Sequence, residues 1–187
     1  MVEREILSHR SCSAHPHIVR FREIFLTPRY LAIAMEYAAG GDLFEYTLRH
    51  NGHISENQAR HIFQQLMSAV AFCHSVGVVN RDIKLENALL LDTGANPVLK
   101  LCDFGYSKNE QLDSACKTAA GTPEYVAPEM VLTQGNYNGK ASDVWSCGIF
   151  LYVVLNGAYP FHTEPGDKLA IKRMVKGIYK VSFGPLF

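Results

Sequence analysis

The feature that most constrains this chain is a pair of short apolar runs, Ala88 to Leu91 and Val98 to Cys102, separated by Asp92-Thr93-Gly94-Ala95-Asn96-Pro97. Glycine, proline and short polar side chains favour a tight reversal, so the runs read as two strands of a hairpin. Polar residues flank the pair: Asp82, Lys84 and Asn87 precede it and Asp103-Phe104-Gly105 follows. This is a two-carboxylate, one-amide arrangement with a nearby cation. Phosphoryl transfer needs positioning, charge neutralisation and oxygen ligands for magnesium more than covalent chemistry, and this inventory supplies them. A single Asp in a loop is more often a turn former, so the argument rests on the whole set.

The rest of the chain reads as elements arranged around that hairpin. Residues Val2 to Arg10 look helical, followed by a polar break at Ser11 to Pro16. Ile18 to Phe25 and Tyr30 to Tyr37 read as paired strands turned by Thr27-Pro28-Arg29, since proline fixes φ and removes a ladder donor. Gly40-Gly41 breaks the pattern as a hinge between two subdomains would. Ser55 and Gln58 fit a capping box, and Ile62, Phe63, Leu66, Met67 and Val70 recur at helical spacing behind it, up to about His74. From Gly105 to Gly121 the residues are small and polar, which predicts a surface loop. Helices resume after Pro128. The apolar stretch Val144 to Leu155 is too short to cross a bilayer and reads as a buried helix.

Composition narrows the partners. Acidic and basic residues balance at 18 each among 187 residues, so no bulk field points to nucleic acid or an anionic membrane. The five cysteines are scattered without metal-ligand spacing, and reduced thiols in the cytoplasm or nucleus are expected. The start of the chain is charged and Val2 stands where myristoylation requires glycine, so neither an export signal nor a lipid anchor is expected. His15-Pro16-His17 reads as a turn in preference to a metal pair.

The sets Asn80-Arg81-Asp82-Ile83-Lys84-Leu85-Glu86-Asn87, Asp103-Phe104-Gly105 and Ala127-Pro128-Glu129, in this order and spacing, resemble the catalytic loop and the DFG and APE elements of eukaryotic protein kinases. Lys84 two residues after Asp82, with Gly121-Thr122-Pro123-Glu124-Tyr125, resembles the Ser/Thr type. Met35 to Glu45, Cys102 to Lys108 and Asp143 to Gly148 resemble the plant sucrose-non-fermenting-related kinases of the osmotic-stress group. The resemblance runs from Glu5 to about Lys176. It implies an α+β protein-kinase-like fold, with residues 1–37 a small-lobe remnant of helix plus strands and 38–187 an incomplete, mostly helical large lobe.

Further roles follow from the resemblance alone. Asp82 would orient and deprotonate a substrate hydroxyl, Lys84 would neutralise charge on the transferred group, and Thr122 would contact both. Asn87 and Asp103 would hold Mg2+. For ATP, Met35 would be the gatekeeper, the Glu36 carbonyl and Ala38 amide would bond adenine, and Glu86 and Leu89 would complete the nucleotide site. Asp42 would meet the ribose or a basic substrate residue. Ordinary strand packing is the alternative for Met35, and a reactive thiol or a small buried strand residue are the alternatives for Cys102. Ser114 and Thr118 would be regulatory phosphosites, with a phosphate pairing to Arg81 and an upstream kinase or phosphatase acting on them. Asp143 would brace the catalytic loop, cap a helix, or do both. Protein substrates are the implied partners, with no nucleic acid and no membrane.

Three departures temper that expectation. The sequence holds no glycine-rich phosphate loop, no strand lysine to meet Glu5, and no helical tail with an arginine for Glu129. Asn80 replaces the histidine of the usual triplet, which puts the packing of Phe104 in question. A truncated or mispredicted gene product is therefore expected, with weak or no activity from the isolated chain. The rival expectation is a non-catalytic pseudokinase-like binding or regulatory module, which retention of Asp82, Asn87 and Asp103 disfavours. A small-molecule phosphotransferase is disfavoured by Gly121 to Glu129, which resembles a peptide-substrate surface.

Overall fold

A computed structural model of the chain describes residues 2–109, 121–133, 137–161 and Lys176. The expected phosphosites Ser114 and Thr118 lie outside the described residues. The first helix, α1 (Val2–Cys12), carries Glu3 and Glu5 in its first turn and His9 and Arg10 in its last, the order that complements the helix dipole. It runs two residues past the expected end because the Ser11 hydroxyl bonds the Leu7 carbonyl one turn back, inside the helix. The strands β1 (Phe21–Leu26) and β2 (Leu31–Met35) pair antiparallel. Both are shorter than their apolar runs. Ile18 and Val19 are drawn away to the later hairpin, where Ile18 bridges Leu101 and the Val19 amide donates to the Leu101 carbonyl at 2.9 Å. The turn between β1 and β2 is closed chiefly by Thr27, whose hydroxyl accepts from the Tyr30 amide at 2.9 Å.

Gly40-Gly41 does not simply break the chain. Gly41–Asp42 forms β3, which joins β5 (Ala88–Leu90) and β6 (Leu99–Leu101) in a three-stranded antiparallel sheet of order β3-β5-β6. The backbone of Gly40 lies so close to the hairpin that a Cβ there would stand 2.6 Å from the Asp92 carbonyl oxygen. Only glycine fits. The short helix α2 (Leu43–Arg49) follows at once.

Helix α3 (Glu56–Ser75) begins at Ser55, whose hydroxyl oxygen accepts from the Gln58 amide. The capping box is only half made. The Gln58 side chain receives the Ser55 hydroxyl at 3.0 Å and does not return to the Ser55 amide. Ala59, Ile62, Leu66, Ala69, Val70 and Cys73 form its buried face, and Phe63 and Met67 pack at the margin of the same core. Gln65 is the polar member of that face, and it clamps the hairpin. Its side chain donates to the Pro97 carbonyl at 3.1 Å and accepts from the Leu99 amide at 2.9 Å, leaving neither backbone group unpaired.

Within the expected surface loop from Gly105 to Gly121, Lys108–Asn109 (β7) pairs with Val78–Val79 (β4), and residues 110–120 lie outside the described residues. Helix α4 (Pro128–Leu132) opens with proline at its first turn, where no amide donor is missed. The long apolar stretch lies in helix α5 (Gly139–Asn156), which packs on α3 and ends at Gly157 in the left-handed region. Its N-cap is Asn138, bonding the Ala141 amide at 3.1 Å, so the capping alternative for Asp143 does not hold. Among the described residues no helix is long and apolar enough to cross a membrane.

Candidate active site

A hairpin returns the chain to its starting point, so β5 and β6 bring the segments before Ala88 and after Leu101 side by side. The Cys102 amide donates to the Asn87 carbonyl at 2.9 Å, fixing that junction. Four donors then converge on the buried Asp82 carboxylate. Its Oδ1 accepts the Thr122 amide at 3.2 Å and hydroxyl at 3.1 Å. Its Oδ2 accepts the Asn87 amide at 2.9 Å and pairs with the Lys84 ammonium at 2.9 Å. Lys84 Nζ also donates to the Thr122 hydroxyl at 2.9 Å. Partial burial works against the charge on Lys84, but Asp82 and, more weakly, Glu86 and Asp103 raise its pKa, so the ammonium persists. The expected contact of Thr122 with both Asp82 and Lys84 is therefore present. It requires Gly121, with φ of 115°, because a Cβ there would stand 2.7 Å from the Arg81 carbonyl oxygen.

Asp103 is exposed and lies at φ of 60°, a strained region for a residue with a side chain. Its Oδ1 is held by the Gly105 amide at 2.8 Å. Arg81 is strained in the same sense, at φ of 70°. Asp143, 1% exposed, holds that strain in place. It accepts the Asn80 amide at 3.0 Å and the Arg81 amide at 2.8 Å, and faces His74 Nε2 at 2.7 Å. Bracing of the loop, the other alternative for Asp143, is thus what the geometry shows.

Asn80 does not loosen the site. Its amide donates to the Asp103 carbonyl at 3.1 Å and its side-chain oxygen accepts the Asp82 amide at 3.1 Å, so one side chain ties both functional segments together. Phe104 is fully buried, and an imidazole does pack on it: the His9 ring stacks at 5.0 Å between centroids. His9 is further fixed by the Val19 carbonyl at 2.6 Å. Sequence reasoning missed His9. The signal was its position one helical turn after Glu5, on the same face of α1. Glu5 itself is half-buried near Gly105 and forms no ion pair among the described residues.

Of the residues expected to meet a nucleotide, Asp42 and Leu89 are paired in register between β3 and β5. Met35 ends β2 and is about half exposed, which disfavours the strand-packing alternative. Ala38 and Leu89 are half-buried and Glu86 is exposed. Asp42 has a task that the sequence did not reveal: its Oδ1 caps α2 by accepting the Glu45 amide at 2.8 Å. Glu36 turns its side chain to Lys100, 2.9 Å away, and also accepts the Arg20 amide at 3.1 Å. Lys100 was also missed, although a lysine between two strand leucines signals a buried partner.

Arg81 is 8% exposed, and its guanidinium donates to the Tyr137 hydroxyl at 3.1 Å and the Tyr106 carbonyl at 3.4 Å. Glu129 is half-buried and accepts the Ser142 hydroxyl at 3.2 Å. The Cys102 thiol is pushed up to about 12 by burial and by Asp103 and Asp42, so it stays protonated and unreactive near neutrality. The buried-residue alternative for Cys102 is favoured. His15 and His17 serve the turn: His15 bonds Ser68 and the His17 amide, and His17 bonds the Leu99 carbonyl.

The family model described as protein kinase domain matches residues 1–184. The chain is 53% identical over 182 residues to serine/threonine-protein kinase SAPK1 of Oryza sativa subsp. japonica, covering 97% of this chain and 52% of that protein. It is 53% identical over 183 residues to serine/threonine-protein kinase SRK2B of Arabidopsis thaliana, covering 96% of this chain and 50% of the relative. Serine/threonine-protein kinase SRK2A of Physcomitrium patens is likewise 53% identical over 182 residues, covering 97% and 51%. The chain spans about half the length of these relatives.

Proposed function

Because this chain belongs to the protein kinase family, we propose that it carries the acceptor half of a site that transfers the γ-phosphoryl group of ATP to Ser or Thr hydroxyls of proteins. The observation that carries this reading is the convergence of Lys84, Asn87 and Thr122 on the Asp82 carboxylate. In this role Asp82 orients the incoming hydroxyl and takes its proton. Lys84, already beside Asp82, offsets charge on the group in transit. Thr122 ties the strand-to-helix segment to both, so the substrate surface and the base are positioned as one unit.

The donor set fits Mg2+. With its amide nitrogen spent on Asp82, Asn87 keeps its side-chain oxygen for a cation, and Asp103 is exposed with only one oxygen held by the Gly105 amide. Asn87 and Asp103 would hold the ion, which when bound neutralises phosphate oxygens. Met35, the Glu36 carbonyl, Ala38, Leu89 and Glu86 would hold the nucleotide, and Asp42 retains one oxygen for a ribose hydroxyl or a basic substrate residue.

Thermal denaturation with millimolar ATP tests the reading. A rise in Tm that requires Mg2+ and is lost in Asp103→Asn is expected. No shift with the wild-type chain would favour the non-catalytic binding module instead.

A further inference from the structure

Behind the segment Met35 to Ala38 the chain forms an open polar groove of about 590 Å3. The segment 13–16 that follows α1, Arg20, the first residues of β1, Glu36 and the β6 residue Lys100 line it. Its floor is an ion pair, Lys100 with Glu36 at 2.9 Å, and its rim carries the exposed side chains of Arg20 and Arg22. Three cations thus share one carboxylate.

That carboxylate is already committed. Glu36 Oε2 accepts both the Lys100 ammonium and the Arg20 backbone amide. Burial works against its charge, yet Lys100, the Arg20 amide and the Arg22 guanidinium hold Glu36 below the ordinary carboxylate range. His15 on the groove wall adds no charge, since burial, His17 and Lys100 keep it below its usual value. The neighbourhood therefore carries more positive than negative charge, and neither guanidinium forms a direct ion pair among the described residues. Two exposed arginines and a recessed lysine on one groove match a phosphate dianion in charge and in donor chemistry, since guanidinium can present paired donors to adjacent phosphate oxygens.

We propose that this groove is a binding site for a phosphate monoester, gripped by Arg20 and Arg22 with Lys100 at its base. The phosphate could belong to a small phosphorylated molecule or to a phosphorylated side chain of a peptide, because the groove is large enough for either. Bound anion draws Lys100 from Glu36, whose backbone continues into Tyr37 and Ala38, so the site adjoins the proposed nucleotide edge without sharing its lining beyond Glu36. The inference stands on the groove and does not require the phosphotransfer reading.

Isothermal titration of the full chain at fixed ionic strength tests it, with O-phosphoserine, a phosphoserine peptide, its unphosphorylated counterpart and chloride as probes. Saturable binding of at least one phosphorylated probe is expected, with Kd of about 0.1–1 mM for a dianion on a partly exposed site. The double variant R20Q/R22Q, whose side chains are exposed and leave the core untouched, should weaken it about tenfold or more, with an unchanged circular dichroism spectrum. Equal affinity for O-phosphoserine and the phosphopeptide assigns the site to small phosphorylated molecules, and preference for the phosphopeptide assigns it to a docked protein segment. Absence of saturable binding by both phosphorylated probes would overturn the proposal, as would affinity unchanged in R20Q/R22Q.

Discussion

Asp143 shows how one buried residue can hold the loop that carries another. Its two oxygens take the amides of Asn80 and Arg81 and face His74 from a fully buried position, which holds Arg81 at positive φ and Asp82 next to it in place. Asp143→Asn exchanges one acceptor for a donor opposite a donor. A loss of about 3 kcal/mol in urea unfolding, with an unchanged m-value, is expected. His9 offers a second residue-level test. Burial holds it below 6.5 against the pull of the Val19 carbonyl, Glu5 and Asp103. The folded chain therefore binds fewer protons than the unfolded one. The contribution is complete above 6.5 and is lost as pH falls through the depressed value. The stability difference between wild type and His9→Phe should fall as pH drops from 6.5 through that depressed value and level off below it. A difference independent of pH would rule out the buried neutral imidazole. His15 shifts in the same direction but is common to both proteins and cancels.

At the scale of elements, the hairpin β5-β6 is the piece on which the others register. β3 pairs with its first strand, Gln65 of α3 clamps its turn, and Ile18 and Val19 bind its second strand. The Glu36–Lys100 pair ties this hairpin to the end of β2. Glu36 sits below its ordinary value of 4.5, because Lys100 and the Arg20 amide outweigh its partial burial. Its contribution is therefore present above 4.5 and lost as pH falls through the depressed value. Glu36→Gln should cost about 1 kcal/mol at neutral pH and nothing once the wild-type carboxyl is protonated, as read by chemical denaturation. A penalty that persists in acid would assign the effect to packing.

Much at this scale was legible because it is local. Turn residues at Asp92 to Pro97, apolar periodicity before His74 and the polar cluster around Asp82 are all encoded within a few neighbours. What was not legible depends on partners distant in sequence. The strand at Gly41–Asp42 exists only because Leu89 and Leu90 lie beside it, and β7 exists only because Val78 and Val79 do. Likewise the stacking of His9 on Phe104 and the clamp at Gln65 join residues from separate elements. Asp143 does accept the Asn80 and Arg81 amides, but it does not cap a helix, because the N-cap of α5 is Asn138.

For the molecule as a whole, the core is continuous from α1 through α3 and the hairpin to α5, while β1 and β2 present Ile24, Phe25, Leu26 and Leu31 to solvent, Leu26 at 81% exposure. The cluster around Asp82 lies within a chain that spans about half of its relatives' length. The central claim is that Asp82, held by Lys84, Asn87 and Thr122, accepts the proton of a protein hydroxyl during phosphoryl transfer. Its most direct test is transfer of labelled phosphate from Mg-ATP to a serine peptide, measured for this chain, for a form extended at both ends to the length of the relatives, and for Asp82→Asn in each. Weak transfer by the chain and stronger transfer by the extended form are predicted, both falling by about 100-fold or more with Asp82→Asn. Transfer by Asp82→Asn at the wild-type rate would contradict the account.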